Sequence, residues 1–252
     1  MSKIVLVHGA FNELWGPNEI RSRWVPALRD GLWHHGVTID DDDVAVCFYG
    51  DLFRRDPDAA DAAAFEQSRS GVAEMLAKLA EGAGLDAISQ AASEAAFDRT
   101  VDMVTMMATV PDLRERVWQR VDGAVTDETR VLVGHSLGSI VSYNALRRHP
   151  EWKVHTFVTL GSPLGQPMVL GQLDPPVAAG ETPPWPGSVR RWVNVAAVGD
   201  HAAAISRLAD VFGERVEDVR VDNGHRAHDP EPYLNANATG AAVAAALSSA
   251  AG

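Results

Sequence analysis

Val131-Leu132-Val133-Gly134-His135-Ser136-Leu137-Gly138-Ser139 decides how this chain is read. An apolar run of strand length passes directly into Gly-x-Ser-x-Gly, and a helical pattern follows from Leu137 to Arg148, stopping at His149-Pro150. The residue before a proline is disfavoured in the helical region, so the stop has a steric cause. The pentapeptide alone also fits an ordinary Gly-Ser turn. With a strand before it and a helix after it, the reading favoured is a tight elbow that exposes a serine hydroxyl. The small residues on either side let flanking chain pass close, and the helix N-terminus behind the serine offers backbone N–H groups to an anion.

Working outward, the chain alternates strands and helices in the manner of a parallel sheet. Ile4–Val7 is continuously apolar, as suits a strand buried on both faces. Trp24, Leu28 and Leu32 then fall four apart among charged residues, which predicts an amphipathic helix closed by Gly36. Further strands are expected at Val44–Tyr49, Val154–Leu160, Val189–Val198 and Val216–Val221, and a last alanine-rich helix at about Thr239–Ala250. The aspartates 40–43 lack the alternation and glycine of a calcium loop and read as a solvated turn. Between the second and third strands, roughly 58–123 is helical by period and too long for one crossover. A single domain over residues 1–252, with a helical cap inserted at about 58–123, is the economical expectation; extra helices packed on the sheet are the alternative. Met103, Met106 and Met107 share one helical face there with Val110, an adaptable apolar surface that could line a substrate pocket.

A serine hydroxyl needs a base to take its proton, and the base needs an orienting carboxylate. In open parallel sheets such groups gather at the carboxyl ends of strands. Asp200 follows the strand ending at Val198 and His228 the one ending at Val221, giving the order Ser136, Asp200, His228. Asp174 and Asp222 are alternative acids, and His225, three residues before His228, is the alternative base. His8-Gly9-Ala10 ends the first strand; a glycine there lets backbone approach a substrate oxygen. The oxyanion donors are therefore assigned to the backbone N–H groups of Ala10 and Leu137, with Phe11 as a candidate pocket wall. Trp185, in a proline-rich loop, either approaches the site or pins its own loop.

These pieces, with Thr159-Leu160-Gly161-Ser162-Pro163 after the fourth strand, resemble the α/β-hydrolase superfamily, in particular its lipase- and esterase-like members. The resemblance implies a three-layer α/β-hydrolase fold, with a mostly parallel sheet and helices on both faces. The chain begins at what would be that family's third strand, so about six strands are expected. The resemblance also implies a serine hydrolase cleaving a carboxylic ester, with Ser136 as nucleophile, His228 as base, Asp200 as acid and Ala10 and Leu137 as oxyanion donors. A thioesterase, or an acyltransferase or cyclase, would use the same residues; a hydrolase-fold binding protein without turnover is a further alternative.

Bulk properties narrow the partners. The 252 residues carry a net charge of −12, which argues against nucleic acid or an anionic membrane surface. Neither a run of about 18 apolar residues nor a leader-like N-terminus is present. The single cysteine, Cys47, excludes an internal disulfide framework and sits in a strand pattern as a core residue. The nine histidines are scattered without metal-ligand spacing, and no phosphate-binding glycine loop occurs, so neither a metal nor a nucleotide cofactor is expected. The expectation is a cytoplasmic enzyme acting on a small ester or acyl compound of moderate hydrophobicity.

Overall fold

The structure is a computed structural model and describes residues 2–54, 65–71, 73–74, 105–107, 109–110 and 112–248. Six strands form one sheet: β1 (Ile4–Val7), β2 (Val44–Cys47), β3 (Val131–His135), β4 (Thr156–Leu160), β5 (Arg191–Ala197) and β6 (Val216–Val221). Their order is β2-β1-β3-β4-β5-β6, and every neighbouring pair is parallel. The helices are α1 (Pro17–Trp33), α2 (Leu113–Ala124), α3 (Leu137–Arg148), α4 (Pro167–Leu170), α5 (Ala209–Phe212), α6 (Pro230–Leu234) and α7 (Asn237–Ser248).

The alternation of side chains along each strand sorts the core into two layers. Ile4, Leu6, Val131, Val133, Val158 and Val193 face α1, α6 and α7, where they meet Trp24, Leu28 and Val243. Val5, Val7, Leu132, Phe157 and Trp192 face the opposite way, onto Val117 and Val121 of α2 and Val141 and Leu146 of α3. At the centre of the sheet both faces are therefore buried, which is why β1 and β3 read as unbroken apolar runs rather than alternating ones.

Strand ends differ from the sequence expectation where side chains take over the hydrogen bonding. β2 stops at Cys47 rather than Tyr49, because the Tyr49 N–H donates to His8 Nε2 at 3.1 Å and its hydroxyl donates to the His8 carbonyl. Burial pushes the Cys47 thiol up to about 12, in keeping with an inert core position. Most of 58–123 lies outside the described residues. Its last part is α2, which packs against β2 and α3 as a crossover helix on the sheet. Trp185 settles into its own loop: its Nε1–H donates to the Val189 carbonyl at 2.6 Å and its ring meets Trp192. Among the described residues, no helix is long and apolar enough to cross a membrane.

Candidate active site

The chain leaves β1 for β2 on one side and returns to β3 on the other, so the connections diverge between β1 and β3. In open α/β sheets the crevice outside the carboxyl ends at such a point is the ligand position. Val7 pairs with Gly134 in the register, which carries His8-Gly9-Ala10 alongside His135-Ser136-Leu137. The approach is close. A Cβ on Gly9 would stand 2.8 Å from the Ser136 Cβ, and one on Gly138 would collide with the carbonyl oxygens of Val7 and His8. Gly138 is thus required by the passage of α3 beneath β1, and Gly134 by the first turn of α3 itself, where a Cβ would stand 2.6 Å from the Ser139 Cα.

Ser136 has φ 53° and ψ −124°, a conformation that L-residues rarely adopt and that typically costs about 1–3 kcal/mol. Surrounding bonds hold it there. Its N–H donates to the Leu160 carbonyl at 2.9 Å, and its own carbonyl accepts from Ser139 Oγ at 2.6 Å. Ser139 Oγ in turn lies 2.7 Å from the buried Ser162 Oγ. Residues next to β4 therefore fix the elbow after β3.

The structure brings Ser136, Asp200 and His228 together. Ser136 Oγ is 3.0 Å from His228 Nε2, and His228 Nδ1 is 2.9 Å from each oxygen of Asp200. With an acceptor-only carboxylate on one side, Nδ1 carries the proton and Nε2 is left to accept from the serine. The Asp200 side chain is fully buried, whereas that of His228 is 39% exposed, so the carboxylate is enclosed and the imidazole faces the opening. Burial pushes the Asp200 carboxyl up, but the hydrogen bonds from His228 and from Tyr233 (2.6 Å), with the charge of His228, outweigh it and hold the group below its ordinary value. The Ala202 N–H adds a third donor at 2.9 Å.

The alternatives lie elsewhere. His225 is exposed in a one-turn helix. Asp222 accepts from the Gly224 N–H, and Asp174 is on the α3 side near Arg148. His8 is buried with Nδ1 donating to the Gly9 carbonyl, and burial brings it down to about 4. Neither the Ala10 N–H nor the Leu137 N–H has an acceptor among the described residues.

A cleft of about 250 Å³ opens beside Ser136 and His228, walled by Phe11, Trp15 and Trp24. Arg23 also lines it, over the Trp15 ring at 4.5 Å and paired with Glu231 at 2.7 Å. Phe11 is where the sequence placed it. Met106 is buried in the α2–α3 layer with Met107 packed against that layer, and neither is on the described cleft wall; Met103 lies outside the described residues. Arg23 and Trp24 escaped the sequence reading because a helix facing the sheet gives no sign of which end overhangs the crevice, and Trp15, in the turn before α1, belongs to no periodic pattern. Among the described residues no group of three His, Cys, Asp or Glu side chains is placed to hold a metal ion.

Sheet order, elbow and strand-end loops define an α/β-hydrolase fold. No family model and no curated protein matches the chain. It is similar to the crystal structure of the esterase domain from a Rhodothermus marinus protein, at 16% identity over 98% of this chain and 84% of that one, with a TM-score of 0.34. At that level of likeness the fold assignment stands on the sheet and the elbow themselves.

Proposed function

We propose that this protein is a serine hydrolase that cleaves a carboxylic ester through an acyl-enzyme on Ser136. The observation that carries the reading is the continuous path Ser136 Oγ–His228–Asp200, at 3.0 and 2.9 Å, at a serine held at positive φ.

Ser136 Oγ attacks the carbonyl carbon as its proton passes to His228 Nε2. The charge developing on the carbonyl oxygen is taken by the N–H groups of Ala10 and Leu137, a donor pair of a kind in which each member is typically worth about 3 kcal/mol in the transition state. The tetrahedral species then collapses. The ester C–O bond breaks, and the alkoxide leaves as alcohol with the proton from His228. A water gives its proton to His228 and adds to the acyl carbon, and Ser136 departs as the hydroxyl. Asp200 remains ionised throughout and stabilises the imidazolium. Phe11, Trp15 and Trp24 favour an acyl or aryl group of moderate hydrophobicity.

The test is a fluorophosphonate probe with a panel of phenyl esters of increasing acyl length. The wild type is expected to label at Ser136 and to hydrolyse the shorter esters, and Ser136→Ala to do neither. Absence of labelling in folded wild-type protein would reject the reading. Acyl-thioesters run beside the esters separate ester from thioester preference.

A further inference from the structure

We infer that His135 is a positioning residue that ties the main chain of the general base to the nucleophile elbow; the inference rests on the function proposed above. His228 stands on the segment between β6 and α6, and its ring is fixed by Asp200 and Ser136. Those two contacts orient the ring but do not join the backbone beneath it to the elbow. The loop closes on itself to either side, with the Asp229 N–H donating to the Arg226 carbonyl at 3.0 Å and Asn223 Nδ2 to the Ala227 carbonyl at 3.3 Å. The bond that ties it to the elbow comes from the residue immediately before the nucleophile: His135 Nε2 lies 2.8 Å from the His228 carbonyl oxygen. A carbonyl only accepts, so Nε2 must carry the proton. The two imidazoles lie with their centroids 4.8 Å apart, and Trp24 closes the edge of the His135 ring at 5.9 Å.

The placement follows from the strand. His135 is the last residue of β3 and points, with Val131 and Val133, into the layer beneath α1 and α6, where an apolar side chain would be the ordinary occupant. It is buried all the same, and its Nε2 is spent on His228. The titratable groups around it are His228, Tyr233 and Asp200, with His8 beyond Gly9. Burial, reinforced by His228, brings His135 down to about 3, so it stays neutral. A neutral donor suits the position twice over. It keeps the hydrogen bond at any working pH, and it places no cation beside an imidazole that must itself become charged during acylation.

Because His135 and Ser136 are consecutive, any shift of the elbow carries the base with it, and the Oγ–Nε2 distance is preserved. Tyr233, by contrast, acts on Asp200 and the Ala197 N–H and makes no bond to the His228 backbone.

His135→Met retains the length without a donor, and His135→Gln offers an amide N–H close to the Nε2 position. Misplacing a reacting group by about 1 Å costs roughly 100-fold in rate. The expected result is therefore that His135→Met lowers kcat and the rate of fluorophosphonate labelling by about 30–100-fold, with KM changed by less than about three-fold, while His135→Gln recovers most of the loss. A residue that merely packed would give two variants ordered by stability rather than by the donor, so melting temperatures are measured for both. Equal kcat in wild type and a folded His135→Met overturns the inference. If His135→Met does not fold, imidazole 15N shifts of the wild type decide: a proton on Nε2 of His135 is required, and one on Nδ1 overturns it. An inactive, unlabelled wild type would instead reject the proposed function, and the tautomer measurement separates the two failures.

Discussion

Gly161 follows β4 with φ +54°, and a Cβ added to it would stand 2.6 Å from Asp200 Oδ2 and 3.2 Å from His228 Nδ1. Neither neighbour can yield easily, since Asp200 is buried and held by His228, Tyr233 and the Ala202 N–H. Two costs therefore add in Gly161→Ala. An L-residue in the left-handed region costs about 1–2 kcal/mol, and overpacking at a filled site costs about 1–3 kcal/mol. Gly36 separates the two: its φ is +65° and a Cβ there meets nothing within 4 Å, so Gly36→Ala carries the backbone cost alone. Urea unfolding of both variants is expected to show Gly161→Ala less stable than Gly36→Ala by about 1–3 kcal/mol. The same displacement separates Asp200 from His228, so kcat on a short phenyl ester should fall by about 100-fold in Gly161→Ala and stay at the wild-type value in Gly36→Ala. Equal destabilisation of the two, with wild-type kcat in Gly161→Ala, would refute the packing of Gly161 against the acid–base pair.

Tyr233→Phe strips a donor from Asp200 and an acceptor from the Ala197 N–H, so unfolding should show a loss of about 1–3 kcal/mol. The same variant should raise the Asp200 carboxyl from its lowered value, which the pH dependence of its side-chain carboxyl 13C shift reads directly. His228→Ala should abolish ester hydrolysis while His225→Ala stays within about two-fold of wild type, since losing a general base is worth orders of magnitude and losing an exposed loop residue is not. His8 and His135 are held at about 4 and about 3, below the ordinary value of 6.5. Between those values and 6.5 the unfolded chain binds protons that the folded protein refuses, so acid favours unfolding. Each residue steepens the fall in stability by up to about 1.4 kcal/mol per pH unit. Chemical denaturation between pH 6 and 4.5 should show that slope, and His135→Gln should remove about half of it; an unchanged slope would contradict the buried neutral imidazole.

The sheet was readable because its evidence is local. Ile4–Val7 and Val131–Val133 are apolar on successive residues, which only a strand covered on both faces demands. The glycines around Ser136 were readable too, since a tight strand-to-helix turn needs them whatever surrounds it. Strand ends were less so: Tyr49 reads as strand, but its N–H is claimed by His8, forty-one residues away. The methionine face was legible as apolar and helical, but the layer that receives Met106 depends on where α2 and β2 lie.

By itself, then, the sequence determined the alternation of elements, the elbow and the order Ser136, Asp200, His228, because periodicity, turn chemistry and strand-end position are properties of neighbouring residues. Tertiary structure separates His228 from His225, which spacing alone could not, since three residues of loop lie between them and His228 is the ring aimed at Ser136 and Asp200. It also set contacts that no motif announces: Tyr233 on Asp200, His135 on the His228 carbonyl, and Trp15, Trp24 and Arg23 along the cleft. Those contacts depend on distances between segments up to two hundred residues apart. Such distances are set by how α1 and α6 close over the carboxyl edge of the sheet, not by any local preference of the chain.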